Sequence, residues 1–308
     1  MSTLQRALQD YVTLRRSLGA KFQAPELRLS HFVKFMAQRG ADVITYPLAL
    51  EWAMQPPTAR PTWAIRFTDA RGFSRFLHGL DPRTEVLPMR VLPFSGRAKP
   101  YLYTDTEIIR LLEAAFALPP ATALRRWTYC CLFGLLAVTG LRISEALALQ
   151  QQDVDLTQGI LTVRGAKFGK TRLVPLHPTT CAVLRRYARE RDARLDPPRS
   201  DYFFVAERGG KIFHQHVWRA FIRLSRQIGL RAPSDHRGPR VHDFRHRFAV
   251  QTLVNCYRSG EQVEKLLPVL STYLGHVYVQ DTYWYLSACP ELMGHAVQKL
   301  EQRWRATP

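Results

Sequence analysis

The chain of 308 residues lacks several features that mark common classes of protein. It has five cysteines and no C-x-x-C pair, so neither a disulfide framework nor a cysteine-based metal site is indicated. No uncharged apolar run is long enough to span a bilayer, and charged side chains interrupt the first apolar stretch, Leu4 to Leu18. We therefore expect an intracellular, soluble protein with reduced thiols, no signal peptide and no membrane partner.

Acidic residues are also scarce, since 25 Asp and Glu face 44 Lys and Arg and the formal net charge is +19. Such a balance predicts attraction to a polyanion. The excess is +8 in residues 1–100 and +11 in residues 101–308, so it is not confined to one basic tail. Both halves are therefore expected to contact the phosphates of nucleic acid, and a basic protein with a merely solvated surface is the alternative.

A proline-rich stretch divides the chain. Residues 81–103 contain Pro82, Pro88, Pro93 and Pro100 without helical periodicity, which predicts an extended linker. Helical periodicity precedes the linker over residues 3–18, 24–38, a short segment after Pro47, and 61–78. In the last of these helices aromatic side chains alternate with arginines, which favours a core helix and a DNA-facing basic helix equally. We place the domain boundary so that the domains are residues 1–98 and 99–308.

The second domain is predicted to be mainly α-helical with one small antiparallel sheet. The string "TDTE" has the pattern of a capping box, Thr104 with Glu107, opening a helix that ends near Phe116. Two β-branched runs, "GILTV" and "TRLVPL", flank "RGAKFGK" and predict a hairpin. Further helices are expected over residues 124–138, 143–150, 179–194, 214–228, 242–256 and 261–272.

Two strings imitate well-known sites without meeting their requirements. "GAKFGKT" has three residues between its glycines where a phosphate-binding P-loop has four, and it leads into a strand instead of a helix. "HDFRH" spaces His242 and His246 as a zinc protease does, but Asp243 replaces the general-base glutamate and no third ligand is evident. The sequence therefore indicates no cofactor and no metal.

The remaining candidates are cationic and proton-transferring residues. Arg142 and Glu145 are three residues apart in "TGLRISEAL", so a structural ion pair between them is one interpretation. His242 and Arg245 have the same spacing near a helix start. The other candidates are Lys167 at the expected hairpin tip, His276 after a helix-ending glycine, and the four tyrosines of "YLGHVYVQDTYWYL".

Together these residue types suit phosphoryl transfer. Two guanidinium groups can each bind two oxygens of a phosphodiester, whose negative charge grows under attack. A lysine or a histidine can move the protons, and a tyrosine hydroxyl can attack and retain the bond energy as a phosphoester. The candidate set is therefore compatible with breaking and rejoining a nucleic acid strand.

In this order the residues resemble the motifs of the tyrosine recombinases, the phage-integrase type. "TGLRISEAL" resembles their first-arginine box, "GAKFGKTRLVPL" their lysine hairpin, and "VHDFRHRFA" their H-x-x-R box. "YLGHVYVQDTYWY" resembles their final box, in which the nucleophile follows the histidine by nine residues, and here that residue is Tyr285. The resemblance covers residues 104–290 well and residues 1–98 more loosely.

The resemblance implies a two-domain DNA clamp with an N-terminal helical, SAM-like core-binding domain and a C-terminal catalytic domain. It implies a role for each of the matched residues. Tyr285 would be the nucleophile that forms a 3′-phosphotyrosyl link, and Tyr273, Tyr278 and Tyr283 would be packing residues. The remaining roles would be phosphate binding by Arg142 and Arg245, leaving-group protonation by Lys167, acid–base catalysis by His242, a phosphate hydrogen bond from His276, and orientation of the first arginine by Glu145.

The resemblance implies a site-specific recombinase or integrase of a mobile element that acts on double-stranded DNA without metal or ATP. It also implies a homo-tetramer on DNA near the nucleoid, with possible helper recombinases or accessory proteins. A type IB topoisomerase and a non-catalytic DNA-binding protein are the alternatives. Two departures from the family pattern leave points open. The segment between His242 and His276 is about two helical turns longer than expected, and Lys170 competes with Lys167, which the count back from "RLVPL" favours.

Overall fold

The structure, a computed structural model, describes residues 3–55, 60–94, 99–165, 171–195, 197–235, 238–276, 278, 280–288, 291–294, 297–298 and 301. Within them the chain forms two compact units, Met1–Ala98 and Lys99–Pro308. None of the described helices is long and apolar enough to cross a membrane.

In the described part of the first unit, four α-helices surround an aromatic and aliphatic core. The helices are α1 (Thr3–Ser17), α2 (Gln23–Gln38), α3 (Tyr46–Ala53) and α4 (Arg60–His78). Phe32 of α2 and Phe73 of α4 are fully buried, and the Phe32 ring packs on Trp52 at a centroid distance of 4.7 Å. Burial of such large apolar side chains is the main contribution to the stability of a unit of this size.

Two arginines of α4 form contacts within the first unit. Arg66 lies over the Trp52 ring, 4.2 Å from its centroid, and donates to the Trp52 carbonyl at 2.6 Å. Arg71 Nε donates to the Leu87 carbonyl at 2.9 Å, which fastens the chain after α4 to the helix. Arg75 is exposed, so it is the α4 arginine of the predicted basic face that remains open to an outside partner.

The second unit is mainly helical with a small antiparallel sheet. Its helices are α5 (Asp105–Phe116), α6 (Leu124–Thr139), α7 (Ile143–Ala146), α8 (Pro178–Arg194), α9 (His214–Gln227), α10 (Asp243–Arg258), α11 (Val263–Leu274) and α12 (Gln280–Ala288). Its strands are β1 (Val154–Asp155), β2 (Ile160–Val163) and β3 (Arg172–Pro175), ordered β1-β2-β3 with antiparallel pairing. The predicted fold class is confirmed.

Local signals in the sequence account for several element boundaries. The capping box at the start of α5 is confirmed, since Thr104 Oγ1 accepts from Glu107 N and the Glu107 carboxylate accepts from Thr104 N. The hairpin is also confirmed, with Leu161 opposite Val174 in the β2–β3 register. Strand β1 was not predicted, because a two-residue strand carries too little alternation to be recognised.

The predicted helix over residues 143–150 is wrong, because α7 ends at Ala146. Beyond it Leu149 is buried and its carbonyl accepts from Phe203 N at 2.8 Å. Gln150 forms an isolated antiparallel bridge with Tyr202, and a 3₁₀ turn, Gln151–Asp153, leads into β1. Pairing with the distant segment around Tyr202 therefore replaces the helical hydrogen bonds that the local sequence favours.

The second unit contains two hydrophobic clusters. The larger cluster lies among α5, α6, α8, α9 and the sheet, with Phe133, Phe221 and Phe244 near its centre. The smaller cluster joins α10, α11 and α12 and contains Leu253, Leu270 and Tyr285. Helix α10 contributes to both clusters, so its residues lie where the two meet.

Candidate active site

Arg142 is placed by the sharp turn between α6 and α7. Gly140 ends α6 in the left-handed region at φ +62°, and a Cβ there would lie 2.6 Å from Phe248 Cδ1. Arg142 is the N-cap of α7, and its side chain is 28% exposed. Its Nη1 donates to Glu145 Oε1 at 2.9 Å, and its main-chain N–H donates to Glu145 Oε2 at 2.9 Å. The predicted ion pair is present and holds the guanidinium at the surface.

Glu145 is the buried anion of the site. Its carboxylate also accepts two hydrogen bonds from Arg172 of β3, Nη1 to Oε1 at 3.0 Å and Nη2 to Oε2 at 2.8 Å. Burial opposes its ionisation, but the hydrogen bonds from Arg172 and Arg142 more than compensate and lower its pKa to about 2. Glu145 is therefore charged throughout the physiological range.

Three arginines converge on the carboxyl end of α11. Arg172 Nε donates to the Tyr273 carbonyl at 2.8 Å, and Arg245 Nη2 donates to the Leu274 carbonyl at 2.6 Å. Arg142 reaches the Leu274 and Gly275 carbonyls at 3.4 and 3.3 Å. The last carbonyls of a helix lack helical partners and carry partial negative charge, so this end suits cations.

Glycine at position 275 permits this arrangement. It ends α11 in the left-handed region at φ +68°, as predicted, and a Cβ there would lie 2.8 Å from Arg172 Nη1. The helix end thus turns away sharply and leaves its carbonyls open to the guanidinium groups.

Arg245 is the most buried cation of the site, with 2% of its surface exposed. Besides the Leu274 carbonyl it binds the Gly140 carbonyl through Nη1 at 2.9 Å. Burial, with the nearby charge of Arg142, lowers its pKa to about 10, which leaves it charged at neutral pH. The Tyr285 side chain, which lies nearby, acts on this pKa in the opposite direction.

Tyr285 therefore lies in the arginine cluster, and the other three tyrosines of the segment do not share its position. It is 3% exposed, its ring is stacked on His276 at 6.0 Å between centroids, and it lies 5.4 Å from the His246 ring. Tyr273 is half-buried and stacked on Phe248. Tyr278 and Tyr283 are 68% and 50% exposed, so their predicted packing role is wrong. On α12, Tyr283 and Tyr285 are separated by about 200°, and only one can face the core.

The histidines of the site are held mainly in the neutral form. His276 Nδ1 is 2.8 Å from Thr282 Oγ1, and burial together with Arg245 lowers its pKa to about 4. Burial and the charge of Arg245 also lower the pKa of His242, which precedes α10. A neutral imidazole can accept a proton, so both side chains are available as bases near pH 7.

The structure brings together five of the six residues predicted to be catalytic, namely Arg142, His242, Arg245, His276 and Tyr285, with Glu145 in support. Lys167 and its competitor Lys170 lie outside the described residues. In the part of the chain that the structure describes, no group of three or more His, Cys, Asp or Glu side chains is arranged to hold a metal ion.

Sequence reasoning missed two residues of this site. Arg172 stands in "TRLVPL", a string that predicts a strand and the register of the lysine but no role for the arginine. His246 was examined as half of a zinc motif, yet its ring contacts Tyr285 and lies 4.7 Å from the His242 ring. Its Nδ1 is buried without a hydrogen-bond partner among the described residues, and burial lowers its pKa to about 4. Its position one residue after Arg245 was the feature of the sequence that could have indicated a place in this site.

Solved DNA recombinases share this fold. The Tn1549 transposon integrase in complex with transposon right end DNA matches with a TM-score of 0.68 at 16% identity, over 96% of this chain and 98% of that chain. The XerH site-specific recombinase bound to palindromic difH substrate matches with a TM-score of 0.65 at 19% identity, over 90% and 78%. These matches show that the chain has the mainly helical fold of these two solved proteins.

Sequence comparison gives the family. The profile of the phage integrase family matches residues 104–291. The integrase/recombinase y4rB of Sinorhizobium fredii is 48% identical over 99% of both chains. The tyrosine recombinase XerD of Caulobacter vibrioides is 33% identical over 80% of this chain and 75% of that protein. The chain belongs to the phage integrase family, the tyrosine recombinases.

Proposed function

We propose that this recombinase cuts and rejoins double-stranded DNA at specific sites through Tyr285. One observation carries the proposal: the buried Tyr285 ring is stacked on His276, which follows the end of α11 where Arg142 and Arg245 both donate to the Leu274 carbonyl. A nucleophile and two guanidinium groups thus belong to one cluster. Since the phenol is buried, we expect α12 to shift when a DNA phosphate enters.

The reaction exchanges one phosphoester for another. The Tyr285 oxygen attacks the scissile phosphorus, its proton passes to His242, and the bond to the 5′-oxygen breaks. Lys167 protonates that oxygen, which leaves a 3′-phosphotyrosyl link and a free 5′-hydroxyl. Arg142 and Arg245 bind the non-bridging oxygens, where negative charge develops, and His276 adds a hydrogen bond.

Rejoining follows the same path in reverse. The free 5′-hydroxyl of the same or another strand attacks the phosphotyrosine, and Tyr285 leaves. The energy of the phosphodiester is conserved in the covalent link, so neither ATP nor a metal ion is required. The charge that a metal would supply comes from the two guanidinium groups.

The substrate and the assembly follow from the two units. Residues 1–98 are proposed as the core-binding domain and residues 99–308 as the catalytic domain of a DNA clamp, consistent with the positive charge of both parts. A strand exchange between two sites needs four active sites, so we propose a tetramer on DNA near the nucleoid, with helper proteins where the element requires them. The 48% identity to an integrase/recombinase favours a mobile element.

Covalent capture tests this function without knowledge of the target site. The protein is incubated with nicked duplexes that carry a randomised segment, adducts are recovered under denaturing conditions, and the trapped DNA is sequenced. We expect an enriched sequence and a protein–DNA band that survives denaturation. A Tyr285→Phe variant should give no band.

The matched control is Tyr283→Phe, which removes an exposed hydroxyl from the same helix. It should capture DNA as the parent does. A parent that captures nothing, or a Tyr285→Phe variant that still captures DNA, contradicts the proposal. Relaxation of any supercoiled plasmid without an enriched site would indicate a topoisomerase instead.

A further inference from the structure

Arg172 occupies a position that links three parts of the catalytic unit. It is the first residue of β3, the second strand of the β2–β3 hairpin. Its side chain is 11% exposed and points to Glu145 after α6 and to the carboxyl end of α11. An arginine at this level of burial is rare unless its donors are used.

Each nitrogen of the Arg172 guanidinium donates one hydrogen bond in a defined geometry. Nη1 and Nη2 each bind one oxygen of Glu145, a bidentate pair at 3.0 and 2.8 Å, and Nε binds the Tyr273 carbonyl at 2.8 Å. The two acceptors belong to different elements, the turn that holds Arg142 and the helix end that holds Arg245. Arg172 is therefore bonded directly to Glu145, which holds Arg142. It is also bonded to the Tyr273 carbonyl, one residue before the Leu274 carbonyl that Arg245 binds.

On the basis of the proposed function, we propose that Arg172 is a positioning residue that aligns Arg142 and Arg245 for the transferred phosphoryl group. It binds both oxygens of Glu145, so that Glu145 forms one side-chain bond with Arg142. The other bonds of Arg142, to the Leu274 and Gly275 carbonyls, are long at 3.4 and 3.3 Å and can be exchanged for bonds to the phosphate. It also holds the end of α11 through the Tyr273 carbonyl, next to the Leu274 carbonyl to which Arg142 and Arg245 both donate.

The number of donors explains why this position needs arginine. Three bonds in two directions require the planar fork of a guanidinium together with its Nε. A lysine ammonium at the same place can satisfy the charge of Glu145, but it cannot hold both carboxylate oxygens and the Tyr273 carbonyl. Arg172→Lys should therefore restore the electrostatics of the site and only part of its geometry.

Single-turnover cleavage tests the role. The rate constant for adduct formation is measured at saturating protein on the nicked duplex enriched by the parent, and binding is measured by fluorescence anisotropy. We expect Arg172→Gln to slow adduct formation about 10²-fold, as loss of an aligned oxyanion donor does, and to leave Kd within about threefold. The rate constant of Arg172→Lys should lie between those of the parent and Arg172→Gln.

A double-mutant cycle shows whether Arg172 acts through Glu145. If it does, Arg172→Gln with Glu145→Gln is no slower than the slower single variant, because both remove the same alignment. The pH profile gives a second readout. Without Arg172 the pKa of Glu145 rises, so Arg172→Gln should lose activity on acidification sooner than the parent, and the double variant should lack this added loss.

Arg191→Gln is the matched control. Arg191 is 4% exposed and binds the Phe203 carbonyl at 2.9 Å and the Asp192 carboxylate at 2.7 Å, away from the catalytic cluster. Arg191→Gln should lower the melting temperature and leave the rate constant for adduct formation unchanged.

The outcomes separate this role from the function on which it rests. An Arg172→Gln rate equal to that of the parent, or a loss that is fully additive with Glu145→Gln, overturns the role of Arg172 alone. Absence of any adduct with the parent overturns the proposed function and this role together.

Discussion

Removing the charge of Glu145 should destabilise the catalytic unit by about 3 kcal/mol at pH 7. A carboxyl whose pKa is about 2 instead of 4.5 prefers its charged form in the folded protein by that amount, at about 1.4 kcal/mol per pH unit. Loss of one partner from a buried ion pair costs about 3–5 kcal/mol in other proteins. Both routes give the same magnitude for Glu145→Gln.

The pH dependence has a defined sign. Because the folded-state pKa of Glu145 is lowered, its contribution is complete above pH 4.5 and is lost as the pH falls towards 2. The cost of Glu145→Gln should therefore be largest near neutral pH and should shrink below pH 4.5.

Hydrogen exchange with mass spectrometry measures this effect on the full chain, since peptides from residues 99–308 report their own free energy of opening. Glu207→Gln is the control, because that exposed carboxylate accepts from the main-chain N–H groups of Leu124 and Arg125. Its loss should cost about 1 kcal/mol. A cost for Glu145→Gln below about 1 kcal/mol would refute the reasoning about the buried network.

Three further perturbations probe other parts of the account. Gly140→Ala should lower the free energy of unfolding in urea by about 2–4 kcal/mol, since it combines φ +62° with a Cβ 2.6 Å from Phe248. Gly40→Ala, which has the same φ but open space around the Cβ, should lower it by about 1 kcal/mol. Equal costs would contradict the argument from the Phe248 contact. Arg142→Ala should slow adduct formation about 10²–10³-fold with little change in DNA affinity, and parallel losses of both would make it a scaffold residue. Burial lowers the pKa of His246 from 6.5 to about 4, so the free energy of unfolding should decrease as the pH drops through that interval. His246→Gln should make this decrease smaller. An unchanged dependence of the unfolding free energy on pH, measured by urea titration, would disprove this.

The sequence predicted those elements whose signals are local. The capping box at Thr104 and the glycine at position 275 specify helix ends within a few residues, and alternating β-branched residues specify the hairpin. Helix 143–150 was mispredicted because its end depends on pairing with residues around Tyr202, far away in the chain. No local pattern reports such a contact.

The candidate site shows the same division. Arg142, Arg245 and Tyr285 were identified because ordered motifs mark them, although 143 residues separate the first from the last. Arg172 was missed because its role depends on one carboxylate and one helix end that the fold brings to it. The exposure of Tyr283 beside the buried Tyr285 likewise depends on how α12 packs, which the run of three aromatic residues from Tyr283 to Tyr285 leaves open.

Identification of the amino acid that becomes linked to DNA tests the central claim most directly. The covalent adduct formed by the parent chain is digested with protease and nuclease, and the nucleotide-bearing peptide is sequenced by tandem mass spectrometry. The account predicts a phosphodiester on the phenolic oxygen of Tyr285. A nucleotide on any other residue, Tyr283 or Tyr278 included, would contradict it.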